Sequence, residues 1–209
     1  MGAEPEASRL ALDVAVSVGA SSVRVESDCR SVVPWIRELL SPWIDSRPPP
    51  VEAAWTLHVS CDASRLADFR ARRAEHATPQ LCFAHDTRLQ RLPARDDESG
   101  ATVLADDERD AFLVVRPGRV DLCVDDARRR GRMFVPWTLA EIAATEFGAD
   151  FLDLHASAVT TGERGLLVLG SKGAGKTTLL LHLVARGRFG LVSNDRVIVM
   201  RDGAGWAIF

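Results

Sequence analysis

The segment Gly170-Ser-Lys-Gly-Ala-Gly-Lys-Thr177 matches the pattern G-x-x-x-x-G-K-[ST] at every fixed position. Its residue types suit the capture of phosphate. Gly173 and Gly175 let the backbone curl until successive N–H groups face one concavity. Lys176 offers a compact ammonium to the β- and γ-phosphates, and the Thr177 hydroxyl can bind Mg2+. A helix running on from Thr178 adds partial positive charge at its N-terminus. The expected cofactor site is therefore Gly170, Ser171, Lys172, Gly173, Ala174, Gly175, Lys176, Thr177 and Thr178, holding a purine nucleoside triphosphate with Mg2+. Lysine usage supports this reading. The chain has two lysines, Lys172 and Lys176, and both lie in this loop. Arginine serves everywhere else, and a planar guanidinium does not replace a point charge. The competing reading is a glycine-rich strand–helix turn with no ligand.

Phosphoryl transfer needs more than a cradle: a base, and a second metal ligand beside the hydroxyl of Thr177. The nearby candidates are Asp153, His155, Asn194 and Asp195. Asn194-Asp195 follows the apolar stretch Phe189 to Val192. A polar pair at the carboxyl end of a strand faces the ligand crevice in α/β sheets. The alternatives are a plain Asn-Asp turn and, for His155, a core histidine bonded to backbone.

Certain elements must position these groups. Phe151 to Val159 reads as an apolar strand and Gly165 to Leu169 as another. A helix spans Lys176 to Arg186, and strands follow at Leu191 to Ser193 and Val197 to Met200. Alternating strand and helix predicts an α/β sheet. An amphipathic helix, Val135 to Phe147, precedes it with Pro136 in the first turn. Upstream, Leu12 to Val18 and Ser22 to Glu26 alternate as a β-hairpin about Gly19-Ala-Ser. A helix from Ser31 to Leu40, capped by Ser27 or Asp28, comes next, then a stiff Arg47-Pro-Pro-Pro50 link. Ala54 to Ser60 reads as a strand and Ala63 to His76 as a helix. Short strands at Leu81 to Ala84, Ala101 to Leu104, Ala111 to Val115 and Val120 to Val124 complete a mostly antiparallel region. The basic run Arg128 to Arg132 reads as a solvated loop at the domain boundary. Residues 1–130 thus form a smaller α+β region, and residues 131–209 the phosphate-loop module.

Composition narrows the class. The 209 residues carry a net charge of −3, so no electrostatic argument favours nucleic acid or an anionic membrane. No apolar run nears the roughly 18–20 residues of a membrane span. Met1 to Ser8 carries two Glu and no basic residue ahead of Arg9, unlike a secretory leader. Cys29, Cys61, Cys82 and Cys123 are scattered, as reduced thiols are. A cytoplasmic setting follows.

Three segments together resemble the HPr kinase/phosphorylase family: Leu154-His-Ala-Ser-Ala-Val159, Gly170 to Thr177, and Leu191-Val-Ser-Asn-Asp-Arg-Val197. The resemblance covers about residues 135–209. It implies a phosphoenolpyruvate carboxykinase-like P-loop α/β fold. It also implies a kinase that uses MgATP to phosphorylate a serine hydroxyl on a protein or peptide. By that resemblance His155 supports the catalytic acid and the pair Asn194-Asp195 falls on the family's Asp-Asp, with Asp195 able to take the base's role; Asp195 is also the candidate metal ligand beside Thr177. Asn194 departs from the family, because an amide is no base at neutral pH. The family also continues for many residues past the point matched by Phe209. A nucleotide-binding module without turnover, or a P-loop ATPase, is the alternative. The acceptor and the oligomeric state are open, a homo-oligomer included.

Overall fold

Leu12–Val18 (β1) and Ser21–Ser27 (β2) pair antiparallel over seven positions, with Val14 opposite Val25 and Val16 opposite Val23. The alternation of the sequence drives this, since period-two valines put one apolar stripe on one face. The computed structural model describes residues 10–18, 21–41, 44, 53–78, 89–106, 108, 110–125, 129–203 and 205–208. The expected Leu81 to Ala84 strand, the Arg47 to Pro50 link, the Met1 to Ser8 start and Cys82 lie outside the described residues. The chain divides into two compact units, Met1–Ile142 and Ala143–Phe209.

The first unit is built on an eight-stranded sheet. After β2 come the helix Val33–Leu40 (α1), Trp55–Ser60 (β3), the helix Ala63–Ala71 (α2), His76–Thr78 (β4) and Leu89–Leu92 (β5). Then follow Thr102–Asp106 (β6), Ala111–Arg116 (β7), Arg119–Val124 (β8) and the helix Arg129–Phe147 (α3). The order is β1-β2-β3-β8-β7-β6-β5-β4. β3 runs parallel to both β2 and β8, so the expected antiparallel region is a mixed sheet. The crossover through α1 makes the β2–β3 pairing parallel, as a two-residue turn could not.

One face of this sheet is buried along its length, and the other is buried over β5 to β8. Leu104, Leu113, Leu122 and Val124 join α1 residues Trp35, Ile36 and Leu40 and α3 residues Phe134, Val135 and Leu139 in one core. The alternate residues Val103, Ala105, Phe112, Val114 and Cys123 join Leu66 and Phe69 of α2 in a second. Phe69 and Phe112 stack with centroids 4.4 Å apart. The helix expected over Ala63 to His76 ends at Ala71 because residues 76–78 are drawn into β4. α1 carries no side-chain cap: the Ser27 hydroxyl donates to the Val59 carbonyl instead. Arg129 to Arg132, expected as a loop, is the first turn of α3.

The second unit departs most from expectation. Phe151 to Val159 is not one strand but two, Phe151–Leu154 (β9) and Ser157–Thr161 (β10), broken at His155-Ala156. Arg164–Val168 (β11), the helix Lys176–Ala185 (α4), Gly190–Ser193 (β12), Val197–Asp202 (β13) and Gly205–Ile208 (β14) follow. They form two three-stranded sheets, β11-β10-β12 and β14-β13-β9, in which every pairing is antiparallel. The expected P-loop α/β kinase fold is therefore corrected to a mixed, sheet-rich fold. Helical crossovers between adjacent parallel strands would make α/β layers. Here β10 and β11 are joined by a tight turn through Gly162, and β10 separates β11 from β12. Among the described residues, no helix is long and apolar enough to cross a membrane.

Candidate functional site

The glycine-rich loop leaves β11 at Val168 and enters α4 at Lys176. Gly173 and Gly175 hold φ of 83° and 84°, left-handed values that a side chain resists. Gly175 is the N-cap of α4 and offers no side chain, so no capping group occupies the helix N-terminus. The Lys176 ammonium folds back across the loop, donating to the carbonyls of Gly170 (2.8 Å) and Ser171 (3.3 Å). Ala174 N–H closes a turn on Ser171. Residues 170–175 are exposed and Lys176 is half-buried. Among the described residues, neither Lys172 nor Lys176 pairs with a carboxylate. Thr177, at the second position of α4, and Thr178 are both exposed in that first turn.

A second cluster forms where β9 and β12 end. The His155 Nδ1 lies 3.1 Å from Asp195 Oδ1, and both side chains are exposed. Backbone bonds fasten this corner: Ala156 N–H donates to the Asp195 carbonyl (3.1 Å) and the buried Ser157 hydroxyl to the Asn194 carbonyl (3.0 Å). The Arg196 guanidinium pairs with Asp153, its Nε 3.1 Å from Oδ1 and its Nη2 against Oδ2. Ser193 donates to the Arg196 carbonyl. The break between β9 and β10 is what turns His155 toward Asp195; one continuous strand would alternate past it.

Strand register relates the two clusters. Ser157 opposes Val168, the last residue before the loop, and Ala158 opposes Ser193, the last before Asn194. β11 and β12 both run antiparallel to β10, so both deliver their carboxyl ends to the Ser157 end of the sheet. The loop and the His155–Asp195 pair emerge from that one end. Thr177 and Asp195, the expected metal ligands, offer oxygen donors, which suit Mg2+; this ion keeps several waters and takes few protein ligands beside substrate phosphates. Among the described residues, no group of three or more His, Cys, Asp or Glu gathers as a metal cage. Asn194 contributes its backbone carbonyl to the corner. Ser157 and Ser193 were not singled out in the sequence; the signal was small polar residues beside an apolar strand, too common to stand out.

No family profile matches the chain, and no solved structure matches it. Over 90 residues it is 36% identical to the adenine phosphoribosyltransferase of a Parafrankia species, a stretch covering 42% of this chain and 48% of that protein. The chain thus spans about half the length of the curated relative it matches. Phosphoribosyl transfer belongs to a different family from HPr kinase, so the resemblance to HPr kinase/phosphorylase is corrected. With it falls the transfer of a γ-phosphate to serine, and the non-turning-over module and ATPase alternatives are not better supported. Magnesium is common in phosphoribosyl transfer, whereas ATP is not supported.

Proposed function

We propose that the loop from Gly170 to Thr178 binds the magnesium-complexed diphosphate group of a small molecule. The observation that carries this is the placement of Lys176. Its ammonium is held over the loop by two carbonyls, with no carboxylate partner among the described residues, beside an uncapped helix N-terminus. Carbonyl oxygens are weaker partners than anionic phosphate, so an arriving diphosphate takes the ammonium from them. Backbone N–H groups at the start of α4 add directional donors. The Thr177 hydroxyl would hold Mg2+, which supplies charge neutralisation across the phosphate oxygens; Asp195, braced by His155, is the second oxygen donor at that end of the sheet.

Phosphoribosyl diphosphate carries this group, and the name of the matching relative favours it. Titration calorimetry with inorganic pyrophosphate, phosphoribosyl diphosphate and ATP, each with and without Mg2+, tests the proposal. Magnesium-dependent heat with pyrophosphate, lost in Lys176→Ala, is the expected result. Phosphoribosyl diphosphate should bind more tightly than pyrophosphate, with ATP as the comparison ligand. Binding by none of the three, or affinity unchanged in Lys176→Ala, overturns it. The absence of a disulfide at Cys29, Cys61 or Cys123 among the described residues supports a cytoplasmic setting.

A further inference from the structure

Three thiols of the first unit, Cys29, Cys61 and Cys123, lie at or just past the ends of adjacent strands, and all are reduced. Two of them are brought together by register. β2 and β3 pair parallel with a constant offset, Val23 opposite Trp55 and Glu26 opposite His58. Carried three residues further, that offset sets Cys29 level with Cys61. The chain after β2 is held to this line by Ser27. Its hydroxyl donates to the Val59 carbonyl (2.6 Å) and accepts from the Cys29 N–H (3.1 Å). Both cysteines are half-buried against the same core cluster. The Cys29 sulfur lies 3.0 Å from the Ser31 hydroxyl and shares a hydrogen bond with the Cys61 thiol. Neighbouring strands stand roughly 4.7–4.9 Å apart. A disulfide needs a Cα separation of about 4.4–6.8 Å.

We propose that Cys29 and Cys61 are a peroxide-responsive thiol pair that closes reversibly to a disulfide. Their environment gives the two sulfurs different roles. Partial burial disfavours the Cys29 thiolate. Hydrogen bonds from the Ser31 hydroxyl, the Ser31 and Val32 N–H groups and the Cys61 thiol outweigh it, leaving Cys29 below the usual thiol range. Cys29 is therefore the attacking sulfur. Cys123, two strands from Cys29, is the opposite case: burial pushes its thiol up.

The chemistry balances with hydrogen peroxide as oxidant. The Cys29 thiolate attacks one peroxide oxygen, an S–O bond forms, the O–O bond breaks, and the departing hydroxide takes a proton to become water. The product is a sulfenic acid on Cys29. Cys61, giving up its proton, attacks that sulfur; the S–O bond breaks, hydroxide leaves as a second water, and the S–S bond forms. The thiols lose two electrons and the peroxide gains them. A small-molecule dithiol reverses the step by exchange.

The test uses the full chain. The reduced protein is treated with one equivalent of hydrogen peroxide, remaining thiols are blocked with N-ethylmaleimide, and tryptic peptides are read by mass spectrometry. The expected result is a Cys29–Cys61 linked pair, two hydrogens lighter than its reduced parts and abolished by dithiothreitol. A C82S/C123S variant retains it. In C61S the reaction stops at a Cys29 sulfenic acid that dimedone traps. Finding N-ethylmaleimide on both Cys29 and Cys61 after peroxide overturns the proposal. So does a link that joins either one to Cys82 or Cys123 instead. The measurement on the unsubstituted chain stands whether or not the variants fold.

Discussion

The two units use their side chains in contrasting ways. In the first, the apolar side chains are gathered into two buried clusters and many charges are spent on one another. Arg24 pairs with Asp13 and Glu26, Arg119 with Glu26 and Asp121, and Arg72 with Glu98. In the second, apolar side chains stand in the open: Leu152, Leu166, Leu169, Leu179, Leu181, Leu191 and Trp206 are all exposed. The Lys176 ammonium bonds the carbonyls of Gly170 and Ser171 and, among the described residues, no carboxylate. A region whose charges are already paired has little left with which to bind an anion. A region whose ammonium has no carboxylate partner can still bind one. On the readings proposed above, the first unit is scaffold and thiol pair, and the second is where a ligand enters.

The largest expected effect breaks the pairing in the first unit. Glu98 is 1% exposed and its carboxylate takes both the Arg72 Nη1 (2.8 Å) and the Arg95 N–H (3.1 Å). Arg72 lies 4.1 Å over the Phe69 ring. Glu98→Ala removes the buried carboxylate from Arg72, which keeps the Pro93 carbonyl and Asp68, and should cost about 3 kcal/mol in urea unfolding. A loss below about 1 kcal/mol would place Glu98 among solvent-compensated pairs and remove the contrast. Next comes Lys176→Ala in the second unit. Stability should hold within about 0.5 kcal/mol, because Lys176 packs against no core. Pyrophosphate affinity should fall by about 1.5–3 kcal/mol, roughly tenfold to a hundredfold. The two variants thus exchange readouts: one moves the unfolding midpoint, the other the dissociation constant.

Asp62→Ala is a smaller test within the first unit. The Asp62 carboxylate accepts from the Arg65 N–H (2.9 Å) and the Ser64 hydroxyl (2.7 Å), capping α2, and these bonds hold it below the usual carboxylate range. A depressed folded value means the stabilisation is present above the unfolded pKa, about 3.9, and is lost as pH falls through the lowered one. The variant should therefore show a lower Tm at neutral pH, and the gap to the parent should narrow under acid. A gap that stayed constant down to acid would mean the cap bonds are not what Asp62 contributes.

How much of this was legible beforehand differed between the units for a physical reason. The loop was readable residue by residue, because Gly173, Gly175 and Lys176 are local requirements of one turn. The hairpin of β1 and β2 was readable too, since its valines alternate over the whole register. What the sequence hid was non-local. Nothing in Leu154-His-Ala-Ser-Ala-Val159 marks the corner at His155, which exists because Ala156 and Ser157 bond to the carbonyls of Asp195 and Asn194, 37 or more residues away. Nor does Val23 to Glu26 announce a parallel partner, so the levelling of Cys29 with Cys61 was invisible. The likeness to HPr kinase failed at the same point. It rested on three short segments, and short segments do not determine how the strands between them pair.

The smallest expected effect probes the exposed apolar face of the second unit. Leu191 sits on β12 opposite Val159, with 58% of its surface exposed. If that exposure is the state in solution, Leu191→Ser removes little buried area and stability should change by no more than about 0.5 kcal/mol. A buried leucine of the first unit, such as Leu122, should by contrast cost about 2–5 kcal/mol when cut to alanine. The pair of measurements tests the comparison between the units directly. A loss at Leu191 as large as that at Leu122 would mean the side chain is covered in solution, and the second unit would then be as closely packed as the first. A null result at Leu191 leaves β12 free to be judged by its end, where Asn194 and Asp195 turn beside the loop.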